Sequence, residues 1–406
     1  MTLPSGAEDT LARRVLGGSL RVQPRETVAI ETWSHALPWA LALVREARRR
    51  RAVPVLVLEE EETFFRSLVL PQVRVVPRAP RVLLGGLDAY VYLPGPEAFP
   101  RLFALADREL DVAVARHDGS WWDEARHRRV RVARLAISAA TRTAAGHYGI
   151  DWEDWQRRMF RASLVPPSQL HRRGRRLAHS LARARRIRIR HSNGTDLSVD
   201  LRPGVAIVED GRVDPEDMRS GRPGTSIPSG VVSVRLARGS AEGVWESNRQ
   251  TYLRFQDPPT TVGARLVFRD GRLTEYAFDR GGEAFSAGYA RAGPGRDMPT
   301  RISFGLNPAA QGAPELEEIA AGAVTLWLGG SPRGLGRTPV PFSFASPLGG
   351  ADVELDGHPW WADGRLLRPR RPRRPRTTPE RTVAARRNGG RGAPRALSGA
   401  ERSARR

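Results

Sequence analysis

The chain contains no cysteine and no lysine anywhere in its 406 residues. The first absence excludes disulfides, thiol nucleophiles and thiolate metal sites. The second excludes Schiff-base chemistry, a lysine general base and the lysine of a phosphate-binding P-loop. Also lacking are a charged-then-apolar start and any apolar run near the roughly 18 residues that a membrane helix needs. Neither a signal peptide nor a membrane span is therefore expected, and a soluble, cytoplasmic protein is the default expectation. There is no H-E-x-x-H, no G-x-S-x-G and no Walker signature, and no G-x-G-x-x-G follows the first strand-like run. Dinucleotide binding gets little support.

What is present is arginine. The net charge is +22 with every basic residue an Arg, a bias that, with abundant Ala, Gly and Pro, reads as a preference for GC-rich codons. The charge is uneven: from Arg368 to Arg406 there are 14 Arg against two Glu, a net of +12 that leaves +10 for the rest. That segment, beginning RPRRPRRPR, has almost no apolar residue to offset its ordering entropy and is expected to be a disordered basic tail, 368–406. Weak nonspecific polyanion binding is its expected property, and a nucleic-acid-associated protein acting through this tail is one alternative for the whole chain. No aromatic residue is interleaved to stack on bases.

Before the tail, the patterning changes once. In residues 1–150, Thr27 to Ile30 and Pro54 to Leu58 are buried-type strands around an amphipathic helix from Leu37 to Arg50, and the theme continues with Leu87 to Leu93, a helix around Pro100 to Asp107, Val112 to Val114 and Val132 to Ile137. Strand, helix, strand implies parallel pairing, so this is an α/β domain with an open parallel sheet. Residues 151–186 form a helical bridge. From 187 to 367 short alternating strands dominate, with hairpin turns at Asn193-Gly194 and Asp270-Gly271 and helix only in patches such as Pro314 to Ala321. The expected fold is thus an α/β domain followed by a β-rich α+β domain.

The eight His residues are scattered, and none has usual zinc spacing. His191 lies beside Asn193 and Asp196 at a turn, where these residues suit turn geometry as well as chemistry. Glu242 and Glu246 fall on one face of a strand, as a carboxylate pair would need.

These motifs bring a family into view. RVQPRETVAI, HSNGTDLSVDL, IPSGVVSV with SAEGVW, ISFGLNPAA and DVELDG, in that order, resemble segments of the thermophilic metallo-aminopeptidases, aminopeptidase T and its relatives. The likeness runs from about Leu20 to Leu367. It implies a two-domain fold, usually a homodimer, and two divalent metals (zinc, cobalt or manganese) that polarise the scissile carbonyl and activate water. Carried over by position, however, the family's ligands fall on Val231, Arg301, Phe344 and Ser346. A valine or phenylalanine has no lone pair for a metal, and a fixed positive charge repels one.

The resulting expectation is an aminopeptidase-like protein without the intact dinuclear site and with no cofactor: a pseudoenzyme or a protein binding a peptide or small molecule. His191, Asp196, Glu242, Glu246 and Asn307 are the residues expected to line its cleft. The alternative within the enzyme class is an active metal-dependent aminopeptidase with ligands relocated to His191, Glu242 and Glu246.

Overall fold

The computed structural model describes residues 3–68, 70, 82–98, 101, 121–252, 260–329 and 342–367. The strand expected at Val112 to Val114, most of the helix expected from Pro100, and the basic tail lie outside the described residues.

The chain opens with helix α1 (Ala7–Arg13), then β1 (Thr27–Trp33), α2 (Leu37–Arg49), β2 (Val53–Glu59), α3 (Glu61–Leu68), β3 (Ala89–Tyr92) and β4 (Arg131–Leu135). Val28, Ala29 and Ile30 are all fully buried, the continuous apolar run of a strand covered on both faces. β2 and β3 flank β1 in parallel, and β4 adds beyond β3. Helix α2 buries Trp39, Ala40, Leu43 and Ala47 on one side, the spacing its sequence anticipates.

Helices α4 (Arg142–Tyr148), α5 (Trp152–Leu164) and α6 (Pro167–Leu181) follow. The Asp151 side chain caps α5 by accepting from the Asp154 amide at 2.6 Å, and Pro167 opens α6, where a missing N–H costs nothing. The chain then enters β5 (Arg186–Arg190), β6 (Asp196–Glu209), α7 (Pro215–Arg219), β7 (Gly224–Ile227), β8 (Val231–Leu236) and β9 (Glu242–Glu246). In β5 the sequence RIRIR alternates exposed and buried, with Ile187 and Ile189 inward. β7 does not join its neighbours in sequence. It pairs in parallel with β4 and completes a five-stranded sheet of order β2-β1-β3-β4-β7.

The remaining strands are β10 (Thr251–Tyr252), β11 (Thr260–Thr261), β12 (Arg265–Arg269), β13 (Arg272–Ala277), β14 (Pro299–Gly305), β15 (Ala323–Gly329), β16 (Ser343–Gly349), β17 (Asp352–Leu355), β18 (His358–Ala362) and β19 (Arg365–Leu366), with helix α8 (Gly282–Arg291) between β13 and β14. A large antiparallel sheet runs β16-β15-β14-β8-β6-β5-β17-β18-β19, with β9 branching from β6 and β12 and β13 continuing that branch. One face carries an apolar core that includes Trp245, Ile302, Phe304, Leu326, Phe344 and Leu348. A second core joins the helices and parallel strands of the first half to Val231, Ala310, Leu316 and Ala320.

Two local expectations differ. Pro314 to Ala321 is turn rather than helix: Glu315 takes a positive φ of 70°, and the segment's backbone instead bonds Asn307, whose amide donates to Ile319 and whose carbonyl accepts from Ala321. Helix α8 is absent from the sequence reading because Gly282 and Gly288 weaken its signal. It is held by packing, since Phe285 sits 4.9 Å from Phe344 and 5.4 Å from Phe342, ring to ring.

Candidate functional site

Strand parity divides the four positions aligned with metal ligands. In the register across β8, β14, β15 and β16, Val234, Ile302, Leu326 and Ser346 lie in one row, on the face of the apolar core. Phe344 shares that face, two residues along β16, and its ring meets Phe278 and Phe285. Ser346 accepts the Trp245 indole N–H at 2.9 Å. Val231 and Arg301 have the opposite parity and face the other way. These four side chains do not converge, and they are no shared ligand set.

The face that carries Arg301 is polar. Its middle row is Ser233, Ser303 and Thr325, one hydroxyl on each of three adjacent strands, all buried. The row beside it is Arg235, Arg301 and Trp327. Arg301 is only 2% exposed, and its guanidinium lies over the Trp327 ring at 4.0 Å. Above them Glu318 Oε1 accepts from Arg301 Nη2 at 3.1 Å, Ser303 Oγ at 2.8 Å and Trp327 Nε1 at 3.0 Å. Among the described residues the Ser233 and Thr325 hydroxyls have no hydrogen-bond partner, an unusual state for buried polar groups.

The turn that carries Glu318 supplies two further carboxylates. Glu317 pairs with Arg249 at 3.1 Å, and burial pushes its carboxyl above the usual range against the pull of that arginine. Glu315 forms a bidentate pair with Arg134 at the end of β4, at 2.8 and 2.9 Å, so the turn is anchored to the parallel sheet. Arg235 has its guanidinium pulled down by burial and by the charge of Arg202.

The residues singled out from the hairpin turns serve other ends. His191 Nδ1 accepts the Asn193 amide, and the Asn193 side chain donates to the Glu246 carbonyl, which fastens the turn to β9. Asp196 holds Arg188 through two bonds of 2.8 and 2.6 Å, and this bonding keeps its carboxyl below the usual range. Glu246 pairs with Arg265, and Glu242 accepts the Asp270 amide of the next hairpin turn. The two glutamates share a face of β9 but each is committed separately. Asn307 is fully buried, donates to the carbonyls of Ala162 and Ser229, and accepts the Ala309 amide. All of its amide capacity but one lone pair is used in tying β14 to α5 and the loop before β8.

Glu318, Ser233, Ser303, Thr325 and Trp327 escaped the sequence reading. For the four on strands the signal was present in parity: V-V-S-V-R, R-I-S-F and A-V-T-L-W each interrupt an apolar strand with polar groups two residues apart. Among the described residues there is no group of three or more His, Cys, Asp or Glu arranged to hold a metal ion. The donor set here, guanidinium, hydroxyls and one carboxylate, does not fit a dinuclear metal centre. Nor is any described helix long and apolar enough to cross a membrane.

No protein-family model matches the chain, and no curated protein matches it. Solved structures do. AmpT, aminopeptidase T, from Thermus thermophilus superposes with a TM-score of 0.64 at 17% identity, covering 89% of this chain and 99% of that one. The 2,5-dihydroxypyridine dioxygenase of Pseudomonas putida KT2440 superposes with a TM-score of 0.62 at 17% identity, covering 90% of this chain and 99% of that one. The chain has an aminopeptidase-like fold, and one named for a peptidase and one for a dioxygenase share it.

Proposed function

We propose that this chain binds a peptide or small molecule on the polar face of β8, β14 and β15, in an aminopeptidase-like fold without the dinuclear metal centre. The supporting observation is the row Ser233, Ser303 and Thr325. Two of its three buried hydroxyls have no hydrogen-bond partner among the described residues, and they stand beside a charged pair at Arg301 and Glu318. Buried hydroxyls gain from a ligand's hydrogen bonds what the protein itself does not supply. The lack, among the described residues, of a His, Cys, Asp and Glu group able to hold a metal, and the separate commitments of Glu242 and Glu246, weigh against metal-dependent hydrolysis. The test is elemental analysis of the purified protein for zinc, cobalt and manganese, joined to leucyl-amide hydrolysis in each metal. The reading predicts substoichiometric metal and no turnover; stoichiometric metal with chelator-sensitive hydrolysis sinks it.

A further inference from the structure

A separate crevice opens where the parallel sheet ends. In the order β2-β1-β3-β4-β7 the chain leaves β1 toward β2 and later returns to its other side as β3, so the strand order reverses between β1 and β3. Ligands of open α/β sheets bind outside the carboxyl ends of the strands at such a reversal. Here the space is about 110 Å³ and is lined by residues that follow each strand: His35 and Ala36 after β1, Glu97 after β3, and Ser138, Ala140 and Thr141 after β4. Trp39, Arg142, Trp152 and Gln156 complete it.

The inner polar groups are already occupied. Ser138 donates to the Pro94 carbonyl, Thr141 donates to the Glu97 carbonyl, and the Trp152 indole and the Gln156 amide both donate to Ala140. His35 Nε2 meets the Ser138 carbonyl at 3.0 Å. A carbonyl only accepts, so this nitrogen carries a proton. The charged groups at the rim are different. Arg142 stacks on Trp152 at 4.4 Å, and neither its guanidinium nor the Glu97 carboxylate has an ion-pair partner among the described residues. The two are not paired with each other either.

We infer that this crevice binds a zwitterionic α-amino acid with a small side chain, its carboxylate on Arg142, its ammonium on Glu97 and its side chain between Trp39 and Trp152. A lone anion would leave Glu97 opposed to it, and a lone cation would be repelled by Arg142. A ligand that carries both charges satisfies each. The volume sets the size: at about 110 Å³ it is below the roughly 150 Å³ of a cavity that admits benzene, so the side chain held there is smaller than an aromatic ring, as in alanine or serine, with the charged groups at the rim. The stacked arginine is held before the ligand arrives, which lowers the ordering cost of binding.

Isothermal titration of the full chain tests this, with alanine, propionate and ethylamine as probes. The expected result is saturable millimolar binding of alanine, with propionate and ethylamine each at least about tenfold weaker, as loss of one charge-assisted contact implies. Arg142→Ala and Glu97→Gln, both at exposed positions, should weaken alanine by a similar factor while leaving the thermal unfolding midpoint unchanged. No saturable binding, propionate binding as tightly as alanine, or alanine binding unaltered in both variants would each overturn the assignment. The last result would move the ligand to a different surface, including the polar face of β8, β14 and β15.

Discussion

Removing the Glu318 carboxylate should be among the most destabilising single changes open to this chain. Arg301 is 2% exposed and Glu318 16% by side chain, so the pair is sheltered from the screening that reduces surface ion pairs to under about 1 kcal/mol. In Glu318→Ala the guanidinium loses its carboxylate in a low-dielectric setting, and Ser303 and Trp327 lose a shared acceptor. Breaking a buried pair in this way costs about 3–5 kcal/mol. The sign reverses when both partners change: Arg301→Met with Glu318→Leu removes the desolvated charges together and should recover most of that loss. Equilibrium urea unfolding followed by tryptophan fluorescence gives the wild-type, Glu318→Ala and double-variant stabilities that this comparison needs. A cost below about 1 kcal/mol for Glu318→Ala, or a double variant no better than the single, would show that the pair behaves as a solvated one and would remove the premise of a sheltered polar site.

Two further expectations follow from the same face. Thr325→Val replaces an unbonded buried hydroxyl by a methyl of the same shape, so it should stabilise the protein by roughly 1 kcal/mol while weakening any ligand held there; a stability loss in the same unfolding assay would mean that the hydroxyl is bonded. Glu317 has a folded pKa above its unfolded one, so between those two values the folded state holds more protons and stability falls as pH rises. Glu317→Gln lacks this slope, and its stability relative to wild type should therefore increase from the usual carboxylate pKa upward; a difference that shrinks with rising pH contradicts the assigned burial.

Most strands were readable because their signals are local. RIRIR alternates, and NG and DG turns place hairpins within a residue or two. The parallel sheet followed from apolar runs separated by a helix, but β7 could not be foreseen. GTSI is four residues with one apolar side chain, and its place beside β4 is decided by backbone pairing across 90 residues of chain. The site was harder still. Single residues such as His191 and Asn307 drew notice for their chemistry, yet in the fold both are spent on turns and buried backbone. What the sheet assembles instead is a row of ordinary Ser and Thr side chains from three strands, under a glutamate from a turn that resembled a helix. Register, which no single strand encodes, is what makes them neighbours.

The place of β7 also sets a schedule for biosynthesis. The outer edge of β4 stays unpaired until Ile227 has been made, and at usual elongation rates the roughly 90 intervening residues take on the order of 5–20 s to appear. An exposed strand edge is a template for pairing with another chain, and β7 is what closes this one along Val132 to Leu135.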